Sequence, residues 1–122
     1  MTTEQQTPIN CTEDGLVTKI ILKEGEGTAT PTDDQEVDVT YIGTLEDGSE
    51  FDRGTDLENP FQFFVGTDEI IKGWSHGVRT MKKGETAKFT IGAEYAYGKE
   101  GRQPKIAPNA TLIFEIALID FR

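Results

Sequence analysis

Only one stretch of the sequence has the spacing of an α-helix, and it is short. Its apolar residues recur at helical intervals and are Ile70, Ile71, Trp74, Val78 and Met81. Thr67-Asp68 offers capping side chains for a helix start, and Gly84 follows two lysines where a helix would end. A chain with a single short helix must build most of its core from strands.

Two glycines weaken this helix further. Gly73 and Gly77 each cost about 1 kcal/mol of helix stability relative to alanine. The helix therefore needs tertiary packing to hold it, or the glycines must admit something close to its backbone. One hypothesis is that Gly73 keeps side-chain bulk out of the opening turn and so helps a ligand to approach.

The remaining apolar residues mostly alternate with polar ones, which is typical of half-buried strands. Such segments cover residues 17–22, 37–45, 61–65 and 87–91, whereas residues 111–119 are nearly continuously apolar and predict a central strand covered on both faces. Asp47-Gly48 lies between Leu45 and Phe51 and predicts a tight hairpin turn. We therefore expect an α+β fold, with a mostly antiparallel sheet of about five strands and one short helix on one face.

The 122 residues fit a single domain. Residues 1–13 are polar and lack periodicity, so we predict a flexible tail there and one domain over residues 14–122. The segment from about 94 to 110 is long for a connection within a compact domain. Because it combines Tyr95, Tyr97 and Ile106 with two prolines, we expect an ordered flap.

Charge and composition exclude several classes of function. The net charge of −10 argues against nucleic acid or an anionic membrane as a partner, since both require a basic surface. One cysteine, Cys11, cannot form an internal disulfide, and the sequence has neither a long apolar run nor a signal-type start. We expect a cytoplasmic protein, also compatible with the nucleus.

Covalent and metal chemistry find no support in the sequence. With one histidine, His76, and one cysteine, we predict no metal site and no cofactor. No serine lies in a nucleophile elbow, and the segment before the helix carries acids where phosphate would need amides. The residues that stand out instead are the aromatic ones: seven phenylalanines, three tyrosines and one tryptophan. Each ring taken singly is more typical of a core than of a ligand wall, and the composition leaves an apolar pocket as the other reading.

Five motifs in order resemble the FKBP family of macrolide-binding peptidyl-prolyl cis-trans isomerases, over residues 16 to 121. They are Tyr41-Ile42-Gly43-x-Leu45-x-Asp47-Gly48-x-x-Phe51-Asp52, Asn59-Pro60-Phe61-x-Phe63, Ile70-Ile71-Lys72-Gly73-Trp74-x-x-Gly77-Val78, Tyr95-Ala96-Tyr97-Gly98 and Pro108-Asn109-Ala110-Thr111-Leu112-x-Phe114. The resemblance implies an antiparallel five- to six-stranded sheet wrapped around one short α-helix.

The resemblance also implies a pocket that binds substrate and macrolide. Its residues would be Tyr41, Phe51, Asp52, Phe61, Glu69, Ile70, Ile71, Trp74, Tyr97, Ile106 and Phe114. Among them Asp52, Tyr97, Phe51 and Trp74 would be catalytic, with Trp74 as the pocket floor. The main-chain N–H of Ile71 and the Tyr97 hydroxyl would donate to ligand carbonyls. The Asp52 carboxylate and the main-chain carbonyl of Glu69 would accept.

As partners the resemblance implies proline-containing peptides or proteins, macrolides of the tacrolimus or rapamycin type, and a chaperone or a phosphatase. The implied protein is a monomeric isomerase that assists protein folding. Two alternatives stay open: a module that binds prolyl or macrolide ligands without turnover, and a chaperone-type domain that holds clients through its flap or acidic face.

Three positions depart from compact single-domain relatives. Leu57 stands where an arginine is common beside the pocket carboxylate, and Arg102 and Lys105 stand at the flap lip. They bear on which protein a macrolide complex would recruit. The segment PKIAPNATLIFE is closer to the first domain of larger immunophilins that also carry tetratricopeptide repeats. An excised domain and a small protein are both compatible with this sequence.

Overall fold

The computed structural model describes residues 7–122, and every strand pairing in it is antiparallel. The strands are β1 (Ile9–Asn10), β2 (Val17–Lys23), β3 (Glu36–Leu45), β4 (Glu50–Gly54), β5 (Phe61–Phe64), β6 (Thr86–Ile91) and β7 (Leu112–Phe121). The helix α1 spans Lys72–Val78, and a 3₁₀ turn spans Ala93–Tyr95. The predicted α+β fold, an antiparallel sheet with one short α-helix, is confirmed for the described residues.

The sheet places its two longest strands side by side. Its order is β1-β2-β6-β7-β3-β4, and β5 pairs with β3 beyond the end of β4. Along β7 every second residue is buried from Leu112 to Leu118, so one face of this central strand is fully covered. The other face is only partly covered, with Glu115 exposed, so the prediction that both faces are covered is wrong. The core is thus contributed mainly by alternate residues of β2, β3, β6 and β7, together with the buried face of α1.

The sheet has seven strands because β1 joins it near the amino terminus. Ile9 and Asn10 pair with Lys19 and Thr18 of β2, and the Cys11 N–H donates to the Val17 carbonyl at 2.7 Å. This segment belongs to the flexible tail predicted over residues 1–13, whose first six residues lie outside the described part of the chain. A two-residue strand is too short to show alternation, so the sequence contained no sign of β1.

Helix α1 begins later than its sequence pattern predicts. The residue before it is Ile71, and no side chain among residues 7–122 caps the first turn. The hydroxyl of Thr67, predicted to cap the helix, donates instead to the Phe64 carbonyl at 2.8 Å and stabilises the turn after β5. The apolar spacing nevertheless reflects burial, since Met81 is fully buried beyond the end of the helix.

The helix glycines allow close packing of α1 on β6. A Cβ atom at Gly73 would lie 2.5 Å from Cγ2 of Ile91, and one at Gly77 would lie 2.8 Å from Cε1 of Phe89. Both distances are shorter than real Cβ contacts allow. The geometry assigns Gly73 to helix–sheet contact, which differs from the expectation that it opens the helix start towards a ligand.

We predict that Gly73→Ala lowers the free energy of unfolding by about 1–3 kcal/mol, the usual range for overpacking, although alanine favours a helix by about 1 kcal/mol. The reason is that Ile91, in the middle of the core, cannot move away without disturbing its neighbours. Urea denaturation measures the change. Gly92→Ala is the matched control, because a Cβ there meets its nearest atoms at an ordinary 3.4 Å. Equal stability of the two variants would contradict this account.

Within residues 7–122, no helix is both long enough and apolar enough to span a lipid bilayer.

Candidate functional site

A cavity of about 580 Å³ opens between α1, the β3–β4 edge of the sheet and the segment before β7. Its lining residues are Tyr41, Phe51, Asp52, Phe61, Ile70, Ile71, Trp74, Tyr97, Arg102, Gln103, Pro104, Lys105, Ile106 and Phe114. Ten of the eleven positions predicted from the sequence are among them. The exception is Glu69, which lines a neighbouring depression and whose carboxylate lies 2.9 Å from the Thr67 hydroxyl oxygen.

Trp74 lies at the centre of the aromatic side of the cavity. Its ring is 4.9 Å from that of Tyr41, 5.1 Å from Phe114 and 5.6 Å from Phe61, each nearly edge-to-face. The residue is 3% exposed, and among the described residues its indole Nε1 has no hydrogen-bond partner. Edge-to-face rings stabilise one another and exclude water, so the cavity floor is apolar.

An irregularity in the β3–β4 pairing brings two adjacent residues of one strand to the same cavity. Gly43 pairs with Asp52, but the next residue of β3, Thr44, pairs with Glu50, so Phe51 has no partner in the register. In a regular strand, neighbouring side chains point to opposite faces. The β-bulge re-aims Phe51, and an aromatic wall and a carboxylate therefore both line the cavity.

The carboxylate of Asp52 is held in place by two donors. The Tyr41 hydroxyl donates to Oδ2 at 3.0 Å, and the Arg53 main-chain N–H donates to Oδ1 at 2.9 Å. Burial first, and then this hydrogen bond and the negative charge of Asp52, raise the pKa of Tyr41 to about 12. Tyr41 therefore stays a neutral donor at physiological pH and orients the carboxylate at the cavity edge.

We predict that Asp52→Asn lowers the pKa of Tyr41 from about 12 to a value still above its ordinary one of about 10. The negative charge is lost and the acceptor becomes a neutral amide oxygen, whereas the burial remains. The pKa of Tyr41 is higher in the folded protein than in the unfolded chain. The contribution of Tyr41 to the free energy of unfolding is therefore present below pH 10 and is lost as pH rises towards 12. The titration of Tyr41 is followed by NMR of protein whose tyrosines carry an isotope label on a ring carbon. The Tyr41 signal is assigned by its absence from the spectrum of Tyr41→Phe. The control is Asp47→Asn, which changes an exposed carboxylate in the hairpin turn and should leave the pKa of Tyr41 unchanged. An unchanged pKa in Asp52→Asn would contradict the assignment.

The segment between β6 and β7 is an ordered flap, defined here as residues 94–110. Arg102 and Ile106 exchange main-chain hydrogen bonds of 2.8 and 2.9 Å, which closes a small hairpin at its tip. Gly101 precedes that hairpin with a φ of +68°, and a Cβ there would lie 2.6 Å from the Ile106 carbonyl oxygen. Ile106 is 3% exposed and anchors the tip against the core.

Two potential hydrogen-bond donors face the cavity from opposite sides. Ile71 immediately precedes α1, and within residues 7–122 its main-chain N–H is bonded to no acceptor. Orphan donors of this kind are normal at a helix start and are available to a ligand. On the flap side, the Tyr97 hydroxyl is approached by Nη1 of Arg102 at 3.5 Å. An apolar floor with donors on two sides suits a ligand that carries carbonyl groups.

The flap lip contributes four residues to the cavity, none of which is among the site residues predicted from the sequence. Gln103 and Pro104 line the cavity beside Arg102 and Lys105. The Lys105 ammonium group donates to the Phe51 carbonyl at 3.2 Å and so joins the lip to β4. The residues of a loop that reach a pocket depend on the path of that loop, and side-chain periodicity carries no signal for it.

Leu57, the third departure, is 68% exposed and lies outside the cavity lining. In the described part of the chain, Asp52 forms no ion pair with a lysine or arginine. Nor does any cluster of three histidine, cysteine or acidic side chains there have the arrangement of a metal site. The chemistry offered by the cavity is therefore that of an apolar floor, one carboxylate and a few hydrogen-bond donors.

The sequence matches a family model described as FKBP-type peptidyl-prolyl cis-trans isomerase over residues 27–119. It is 47% identical over 110 residues to mouse peptidyl-prolyl cis-trans isomerase FKBP4, a match that covers 90% of this chain and 24% of the mouse protein. It is 45% identical over 102 residues to FK506-binding protein 1 of Dictyostelium discoideum, covering 84% of this chain and 94% of that protein.

A solved structure of similar shape contains the three FKBP domains of wheat FKBP73. It superposes with a TM-score of 0.89 at 37% identity, over 95% of this chain and 50% of the wheat chain. The present chain thus spans about a quarter of the mouse relative and nearly the whole length of the Dictyostelium one. The family match, the identities and the common fold agree with the five sequence motifs, and the chain belongs to the FKBP-type peptidyl-prolyl cis-trans isomerase family.

Proposed function

We propose that this chain catalyses cis-trans rotation about X–Pro peptide bonds in the cavity floored by Trp74. The observation that carries the proposal is the combination, in a member of this family, of an aromatic cavity floor with the Ile71 main-chain N–H at its edge, which has no acceptor within residues 7–122. The cavity volume of about 580 Å³ lies within the range of small-ligand sites and suits a proline ring with its neighbouring amides.

The reaction needs no bond to be made or broken. Rotation about the amide must overcome a barrier of about 18–20 kcal/mol that arises from resonance. Water favours the planar, charge-separated amide, and an apolar cavity that removes water favours the twisted form. If the cavity binds the twisted form better than either planar isomer by about 5.5 kcal/mol, the rate rises roughly ten-thousandfold.

Five residues have assigned roles in this proposal. Trp74 and Phe51 exclude water around the prolyl ring. The Tyr97 hydroxyl and the Ile71 main-chain N–H hold substrate carbonyls, and Arg102 beside the tyrosine leaves the phenolic hydrogen free to donate. Asp52, oriented by Tyr41, accepts from the substrate at the cavity edge. These groups orient and polarise the substrate, and no proton is transferred.

The same cavity is our candidate site for macrolides of the tacrolimus or rapamycin type. Support comes from the names of two relatives, FK506-binding protein 1 of Dictyostelium and FK506-binding protein 59 of Drosophila melanogaster. A macrolide that fills the cavity would compete with prolyl substrates and inhibit the reaction. The Glu69 main-chain carbonyl stays a predicted acceptor for such a ligand at the cavity edge.

The test is an NMR exchange assay on an X–Pro peptide, with and without a macrolide. We expect faster exchange with the protein and loss of that acceleration when the macrolide is added. Unchanged exchange at micromolar protein would refute isomerase activity, and tight macrolide binding without catalysis would identify a binding module instead.

For the setting of this activity we propose a monomer that assists folding of proline-containing client proteins. The free thiol of Cys11 is consistent with the cytoplasm or the nucleus, both of which are reducing. Recruitment of a chaperone or a phosphatase follows from the family resemblance alone and remains a prediction.

A further inference from the structure

The charge of the cavity lining has the opposite sign to that of the whole chain. The chain carries a net charge of −10. The cavity is lined by one carboxylate, Asp52, and by two cations, Arg102 and Lys105, so its own balance is +1. Both cations are exposed at the flap lip. The lip thus contributes two positive charges to the proposed catalytic cavity, whereas the adjoining depression that shares Arg102 is also lined by Lys72, Lys99 and four acids, Asp68, Glu69, Glu94 and Glu100.

Neither lip cation is neutralised by a carboxylate within residues 7–122. The nearest acid of the cavity, Asp52, accepts instead from Tyr41 and from the Arg53 main-chain N–H. The two positive charges therefore remain available to an outside anion.

Most of the donor capacity of these cations is also unused. Arg102 has five N–H donors, and in the described part of the chain its side chain makes one hydrogen bond, the long contact of 3.5 Å to the Tyr97 hydroxyl. Lys105 has three donors and uses one on the Phe51 carbonyl. An arginine with a free fork of donors is well suited to a carboxylate, which it binds through two parallel hydrogen bonds.

Arg102 also lies where a bound peptide would continue beyond the prolyl cavity. A second depression, of about 780 Å³, shares Ile70, Ile71, Tyr97 and Arg102 with the first. The guanidinium group lies 5.5 Å from the centre of the Tyr97 ring, which holds it over this shared rim. A chain that enters the cavity with its proline can run along this rim with a neighbouring residue beside Arg102.

We propose that Arg102 and Lys105 determine substrate preference by binding an acidic side chain on a residue next to the proline. This inference rests on the proposed function, since it names the class of X–Pro segment that the same cavity takes. Arg102 is the main contact. Lys105 adds charge and joins the lip to β4.

The test compares peptides that carry glutamate or glutamine immediately before or immediately after the proline. At one of these positions we expect kcat/KM to be about 3- to 5-fold higher with glutamate, the size of effect that an exposed ion pair supports. Higher salt should reduce the ratio of kcat/KM for the glutamate peptide to kcat/KM for the glutamine peptide. Arg102→Gln should bring this ratio close to one, and Arg102→Lys should keep part of the glutamate preference. Lys105→Gln should lower the ratio by a smaller amount than Arg102→Gln. Lys88→Gln, which removes an exposed charge on β6, should leave it unchanged.

The ratio of kcat/KM between the glutamate and glutamine peptides tests this inference separately from isomerase activity itself. Turnover of both peptides at equal rates would overturn the inference and leave isomerase activity standing. A glutamate preference that persists when Arg102 and Lys105 are both replaced by glutamine would also overturn it. If neither peptide is turned over, isomerase activity is refuted, and titration of the Trp74 fluorescence with the same peptides decides the inference. Tighter binding of the glutamate peptide that depends on Arg102 would support it, whereas equal binding or none would overturn it.

Discussion

Replacement of Lys19 by methionine is expected to lower the free energy of unfolding by about 3–5 kcal/mol, the usual effect of removing one partner of a buried ion pair. Lys19 and Glu85 are 4% and 2% exposed, with their charged atoms 2.8 Å apart. Lys19 also donates to the Thr80 carbonyl at 2.8 Å, and Glu85 accepts from the Lys82 N–H at 3.1 Å. The variant leaves the Glu85 carboxylate buried without its counter-charge.

Urea denaturation at neutral pH measures this loss, and two further variants test its cause. Arg53→Met breaks an exposed pair with Glu50, whose side chains are 53% and 40% exposed, and should cost less than about 1 kcal/mol. The double variant Lys19→Met with Glu85→Leu should be more stable than Lys19→Met alone, because no charge then remains buried. Similar losses in Lys19→Met and Arg53→Met would contradict this explanation.

The buried pair also helps to place the candidate site. Thr80 follows α1, Lys19 belongs to β2, and Glu85 precedes β6. The pair therefore fixes the end of the helix that carries Trp74 onto the sheet. In the sequence, strand alternation places Lys19 on the same face of β2 as Val17 and Ile21. Nothing in that local pattern identifies its partner, which is 66 residues away.

The predictable part of the candidate site is the part that lies in short, recognisable segments. Tyr41, Trp74 and Phe114 stand within motifs that resemble one family, and the fold brings all three to one cavity. The predicted hairpin at Asp47-Gly48 is likewise present, with Gly48 at a φ of +90°. The hairpin depends on local side-chain chemistry, which a single sequence carries, whereas the pocket role of the three aromatic residues came from the family resemblance.

The features that the sequence did not reveal depend on contacts between distant segments. The contact of Gly73 with Ile91 requires the distance between helix and sheet. The presence of Gln103 and Pro104 at the cavity requires the path of the flap. The bulge at Phe51 requires the register between β3 and β4, because alternation alone would place Phe51 and Asp52 on opposite faces.

Replacement of Phe51 by alanine is expected to lower kcat/KM for an X–Pro peptide by about 10- to 100-fold. The ring forms one wall of the cavity and packs edge-to-face on Phe114 at 5.5 Å. Its removal admits water beside the amide and takes away apolar contact worth about 1.5–3 kcal/mol for an aromatic side chain. Because each 1.4 kcal/mol corresponds to a factor of ten in rate, that contact accounts for the expected range.

The matched control is Phe64→Ala on β5. Phe64 is 45% exposed and lies outside the cavity lining, so the same change of side chain should leave kcat/KM within about twofold, as expected for a surface substitution. Both variants are assayed at a temperature where circular dichroism shows that they are folded. A lower kcat/KM then reflects the missing Phe51 ring and not unfolding of the protein. If Phe51→Ala retained full kcat/KM, the exclusion of water by this wall would not contribute to catalysis, and the orienting groups Asp52 and Tyr97 would have to account for the rate.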